Sequence, residues 1–119
     1  MRIIGMDIHR VFAEAVALED GETKRLGRIG MTREHLEDFA RTLLPSDHVV
    51  VEATGNATAV VEILAPRVAR VAVANPLQVH LIAKAKIKTD AIDARVLAQL
   101  YAAGFLPEVW IPDAAALAR

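Results

Sequence analysis

Apolar and polar residues along the chain fall into short blocks whose periods differ. "RIIGMDI" is an almost unbroken apolar run and reads as a strand buried on both faces. "VFAEAVAL" reads as a second strand, "EDGE" supplies turn chemistry, and "TKRLGRI" reads as a third. The short connection at His9 and Arg10 favours antiparallel hairpins. In "TREHLEDFARTLL" the period changes to that of a helix. Leu36, Phe39, Ala40 and Leu43 fall on one face, Thr32 is a good N-cap and Pro45 stops the run. "HVVVEA" is a short β-branched strand, "TGNAT" a loop, "AVVEILAP" a helix ended by Pro66, and "RVAVAN" a further strand. "PLQVHLIAKA" opens with proline at a first helical position. "TDAIDARVLAQLYAAG" is the clearest helical pattern and is closed by Gly104. "FLPEVWIPD" is irregular or a short strand, and "PDAAALAR" begins another helix with Asp113 as its N-cap.

The order is therefore β-β-β-α-β-α-β-α-α. Three antiparallel strands followed by alternating strands and helices form a mixed α/β sheet in the ribonuclease-H-like order, although the alternation alone fits other mixed-sheet folds. With 119 residues the chain is one domain or a piece of a larger protein. It is 54% hydrophobic but only 4% aromatic, so aliphatic side chains must build the core. The absence of cysteine excludes disulfides and thiolate metal sites. No apolar run approaches the ~18 residues of a membrane span, and Asp7 stands too early for a secretory signal. These features predict a soluble cytoplasmic domain without membrane partners.

A net charge of −1 does not by itself point to nucleic acid, but the charges are unevenly placed. Between residues 31 and 62, Arg33 and Arg41 face Glu34, Glu37, Asp38, Asp47, Glu52 and Glu62. Between residues 67 and 95 the balance reverses: Arg67, Arg70, Lys84, Lys86, Lys88 and Arg95 against Asp90 and Asp93. Such asymmetry suits either a phosphate-facing patch or a solvated helix face.

Four carboxylates draw attention. Asp7 sits among apolar residues near the end of the first strand, where a lone charge is costly unless paired or bound to a metal. Glu52 closes "VVVE" in the same setting, and the strand order makes the two strand ends neighbours. Asp90 and Asp93, at i and i+3, would share one face of the helix predicted there. Asp90 as N-cap and Asp93 as a first-turn acid is an adequate local reading of that pair. Convergence of all four would instead suit hard divalent cations, Mg²⁺ or Mn²⁺. Thr54, Gly55 and Asn56 precede a helix and either cap it or offer backbone N–H groups to a phosphate. Lys84, Lys86 and Lys88 alternate, which suits an irregular basic segment gripping phosphates. His9 lies two residues from Asp7, near any metal or simply hydrogen-bonded in a turn. His35, His48 and His80 have no ligand spacing, and Trp110 reads as core or interface.

"GMDIHR", "VVVEATG", "VANPLQV" and "KTDAIDARVLA" resemble, in order and over nearly the whole chain, the DEDD transposases of bacterial insertion sequences, the group that includes Piv-type DNA invertases. The resemblance implies a RuvC-like fold and an Asp-Glu-Asp-Asp tetrad that maps onto Asp7, Glu52, Asp90 and Asp93, with Mg²⁺ or Mn²⁺ as cofactor. It also implies DNA as partner, in some relatives a guide RNA, and a separate C-terminal domain carrying a nucleophilic serine. The only serine here is Ser46, in a turn-like "LPSDH", and Leu77 stands where relatives commonly have a basic residue. The expectation is a RuvC-like catalytic domain over residues 1–112, the start of a connecting helix over 113–119, and no serine domain. That helix, with Phe105 and Trp110, is expected to cover itself against a second copy. The implied function is the metal-dependent part of a DNA transposase or recombinase. The competing reading is a catalytically incomplete nucleic-acid-binding or interaction module of the same fold. An actin-like ATPase or sugar kinase would need Gly and Ser/Thr after the first Asp, and "DIHR" has neither.

Overall fold

The computed structural model describes residues 1–109. The segment from Trp110 onward, with the helix expected at Asp113 and the self-association assigned to it, lies outside the described residues.

Five strands form one sheet in the order β3-β2-β1-β4-β5. They are β1 (Ile3–Ile8), β2 (Phe12–Glu19), β3 (Glu22–Gly30), β4 (His48–Glu52) and β5 (Arg70–Ala74). β1, β2 and β3 are linked antiparallel, whereas β4 lies parallel to both β1 and β5. This is the ribonuclease-H-like order expected from the sequence. The first hairpin is tight, and the β2–β3 turn places Asp20 and Gly21 at φ 52° and 79°, a left-handed pair that Asp-Gly tolerates.

Side-chain alternation along the central strands assigns the two faces. Ile4 and Met6 of β1, Val49 and Val51 of β4 and Val73 of β5 pack under α1 (Arg33–Arg41) and α2 (Ala57–Leu64). Ile3, Val50 and Ala74 face the other way, toward α3 (Pro76–Lys86) and α4 (Ala94–Ala103). Thr32 caps α1 by accepting from the His35 N–H, Asn75 caps α3 through Gln78, and Gly104 ends α4 at φ 79°. Residues 107–109 run antiparallel along the open edge of β5: Asn75 N donates to Pro107 O at 2.8 Å, and Val109 N to Val73 O at 2.7 Å.

Two sequence expectations need correction. The last helix does not begin at Thr89. Its first residue is Ala94, and Asp93, in extended backbone, is the N-cap, accepting from the Val96 N–H at 2.9 Å. Upstream, Lys88 is left-handed at φ 65° and Thr89 Oγ1 accepts from the Ala91 N–H at 3.2 Å, so the hydroxyl competes with helical pairing. Asp90 and Asp93 therefore do not share a helix face. Conversely, the lysine segment is not irregular throughout, because α3 continues through Lys86.

Candidate metal site at the carboxyl ends of β1 and β4

Asp7 follows Ile3 and Gly5 on the face covered by α4. The β1–β4 register ends at Met6 opposite Val51, so the next residues on each strand, Asp7 and Glu52, stand side by side. On its other flank Asp7 is the register partner of Glu14 in β2. Three adjacent strands thus bring carboxylates to one face of the sheet at one end. Glu14 is compensated by Arg28 at 3.2 Å and Arg25 at 4.0 Å. Asp7 has His9, whose Nε2 lies 3.1 Å from Asp7 Oδ2.

Glu52 has no such partner among the described ion pairs. Its half-buried carboxyl is held above the usual range, first because burial disfavours the charged form and further because Asp7 is close; His80 acts in the opposite direction. His80 is exposed on α3, whose N-cap Asn75 directly follows the last residue of β5.

Of the other two expected carboxylates, Asp93 approaches the same sheet face from the start of α4. Gly5 lets the start of α4 press onto β1, where a Cβ would come 1.9 Å from Ala94 O. Asp93, one residue earlier, lines a cleft with Glu14, Thr23 and Arg25. Its Oδ1 is committed to the helix cap. Asp90 is exposed in the loop that leads there. The structure therefore joins Asp7 and Glu52 and places Asp93 near their sheet face. Among the described residues, no three His, Asp or Glu side chains are gathered tightly enough to hold a metal ion. The donor chemistry nevertheless fits: two neighbouring carboxylates, one resisting ionisation, form an oxygen pair whose repulsion a divalent cation would relieve.

Thr54 and Gly55 are exposed beside this end of the sheet. Asn56 occupies the N-cap position of α2 without making a capping bond. Its amide instead lies 3.4 Å from the His9 carbonyl and 3.5 Å from that of Arg10, reaching toward the first hairpin. Lys84 is exposed on the side of α3 that carries Leu77 and Leu81, which are 81% and 71% accessible. Lys86, two residues on, points to the opposite side, with its ammonium 4.9 Å from the Phe105 ring centre. The three lysines do not act as one row.

Glu14, His80 and the pairing of His9 with Asp7 were not anticipated. The hairpin register was the available signal for Glu14, since a turn at residues 9–11 sets residue 14 opposite residue 7. Asp47 was missed as well. It is fully buried and accepts from Arg2 at 2.9 and 2.5 Å and from the Leu44 N–H at 2.8 Å.

A mixed sheet in this order, with acidic residues closing its two central parallel strands, defines a ribonuclease-H-like domain with a candidate two-carboxylate centre. The family model for DEDD transposases of the IS110 group, described as "Transposase", matches residues 4–118. The chain belongs to this transposase family. Among solved structures it is similar to Thermus thermophilus RuvC, with a TM-score of 0.48 and 14% identity over 94% of this chain and 84% of that one. No curated protein matches.

Proposed function

We propose that this domain performs divalent-metal-dependent phosphodiester chemistry on DNA, with Asp7, Glu52, Asp90 and Asp93 as the metal-holding set. The observation that carries the proposal is the parallel β1–β4 register, which sets Asp7 and Glu52 side by side. Mg²⁺ or Mn²⁺, when bound, would supply Lewis-acid stabilisation of phosphate oxygens. Asp7 and Glu52 form the fixed floor of the site. Asp93 holds the start of α4 with Oδ1 and keeps Oδ2 for the site. Asp90 joins by movement of the 88–92 loop. Thr54 and Gly55, just past the end of β4, contact the DNA backbone in this reading, as do Lys84 and Lys88 in and beyond the last turn of α3.

The domain assignment over residues 1–112 belongs to the same proposal, as do a homo-oligomeric assembly and a guide RNA. Among the described residues no helix is long and apolar enough to cross a membrane. Ser46 precedes β4, at the opposite end of that strand from Glu52. It is no nucleophile for this site, so the nucleophilic serine that the family resemblance implies would have to come from elsewhere.

The dispersed position of Asp90 favours a second reading, a nucleic-acid-binding module that does no chemistry alone. Nicking of supercoiled DNA separates the two. Mn²⁺-dependent nicking by the purified chain, lost in Asp7→Ala, supports the enzyme. DNA binding without nicking, and equal Mn²⁺ affinity in wild type and Asp7→Ala, would leave only the binding module.

A further inference from the structure

We propose that His9 is a positioning residue for the candidate metal site: its Nε2–H fixes Asp7 Oδ2 and leaves Oδ1 for a divalent cation that Asp7 and Glu52 would hold. This rests on the metal-site reading above. The bond is 3.1 Å long. An ionised carboxylate only accepts, so the imidazole nitrogen facing it carries the hydrogen. Among the described residues no other side chain donates to Asp7.

The imidazole is 45% exposed, yet its orientation is set from several sides. It stacks on Phe12 with ring centres 4.6 Å apart and planes 30° apart. The Arg28 guanidinium lies over the Phe12 ring at 4.2 Å. Arg28 Nε donates to Glu14 at 3.2 Å, and Glu14 is the strand partner of Asp7. The His9 N–H donates to Phe12 O at 2.8 Å, closing the hairpin beneath the stack. The contacts run in a closed ring, Asp7–His9–Phe12–Arg28–Glu14, and return to Asp7 through the β1–β2 ladder. An exposed turn histidine needs none of this. A carboxylate that must hold one rotamer for a metal does, because hydrogen bonds to ligating carboxylates orient them and tune affinity.

The test is calorimetric titration of the whole chain with Mn²⁺ at a fixed neutral pH. The variants are His9→Ala, His9→Phe, His9→Gln and Asp7→Ala, each checked for folding by its melting curve in EDTA. His9→Phe keeps a ring to stack on Phe12 but has no donor; His9→Gln restores an N–H at similar reach. Mn²⁺ affinity should fall about 10- to 100-fold in His9→Ala and His9→Phe and largely recover in His9→Gln. If His9→Phe binds within about twofold of wild type while Asp7→Ala does not bind, the positioning role is wrong and the metal site stands. If Asp7→Ala binds as wild type does, or wild type does not bind, the metal-site reading falls and this inference with it.

Discussion

Gly5 and Ala94 are in direct backbone contact across the sheet–helix interface: a Cβ on Gly5 would stand 1.9 Å from the Ala94 carbonyl oxygen and 3.2 Å from the Ala98 nitrogen. Both obstacles are main-chain atoms of α4, so no rotamer change makes room. Gly5→Ala should force the start of α4 away from β1, at a cost of about 1–3 kcal/mol from overpacking. Urea unfolding followed by circular dichroism measures this as a lower midpoint with an unchanged slope. A midpoint equal to wild type would show that α4 sits loosely and does not depend on the glycine.

The Arg2–Asp47 pair ties the start of β1 to the turn before β4. Burial alone would raise the Asp47 carboxyl, but hydrogen bonds from Arg2 and the Leu44 N–H, with the charges of Arg2 and His48, outweigh it and hold it below its ordinary value of 3.8. A depressed folded value means that the stabilisation is fully present above the unfolded value and is lost as pH falls through the folded one. Melting temperature should therefore drop as the pH goes below about 4, and Asp47→Asn should flatten that drop. Arg2→Ala, which leaves the buried carboxylate unpaired, should cost about 3–5 kcal/mol at neutral pH. Loss of less than about 1 kcal/mol would mean the pair acts as an exposed one does.

The elements legible in the sequence are those whose boundaries rest on local chemistry. Thr32, Pro76 and Gly104 cap, open and close helices as their residue types predict. β1 and β4 are apolar because both their faces are covered, and that also made Asp7 and Glu52 conspicuous. What local pattern did not reveal was decided by long-range contact. Asp90 and Asp93 are both N-cap residues by type, and periodicity fits a start at either. The choice of Asp93 follows where α4 meets Gly5, a residue more than eighty positions away. The partners of Asp7 are hidden for the same reason: Glu14 reaches it through strand register and His9 through a folded turn. Lys86 joins α3 and finds Phe105, which no reading of the alternating lysines contains.

Glu52 gives the opposite pH signature to Asp47. Its folded value lies above the ordinary 4.5 because burial, with Asp7 beside it, disfavours the charge. The folded state therefore holds the proton more tightly than the unfolded chain. The associated stability is present below pH ~4.5 and is lost as pH rises through the folded value. Glu52→Gln should thus be more stable than wild type near neutral pH in EDTA, with the difference shrinking toward pH 4. Under the metal-site reading, saturating Mn²⁺ should reverse the order, because only the wild type gains from binding. Thermal melts of both proteins at several pH values, with and without Mn²⁺, test this. A Glu52→Gln protein that is less stable than wild type in EDTA would show that the carboxylate is well compensated after all.

The lysines around α3 should separate into two kinds by their response to salt. The sequence treats Lys84, Lys86 and Lys88 alike, and on that basis replacing all three would flatten the salt dependence of DNA binding by up to ~3 units of slope. In the folded chain Lys84 projects from the exposed side of α3, and Lys88 stands past the helix in the turn leading to Asp90. Lys86 lies over Phe105 on the opposite side. A lysine that neutralises one phosphate contributes about 0.9 to the slope of log K against log salt on duplex DNA. Lys84→Ala and Lys88→Ala should each lower the slope by about that amount, and equally for unrelated sequences, since lysine offers a point charge without bidentate geometry. Lys86→Ala should leave the slope unchanged and lower stability by up to ~1 kcal/mol through loss of the contact with Phe105. Fluorescence anisotropy over a salt series, with two duplexes of different sequence, gives the slopes, and urea unfolding gives the stability. Equal slope losses for all three lysines would mean that Lys86 leaves Phe105 to meet DNA, and that the division of the α3 surface seen in the free protein does not survive binding.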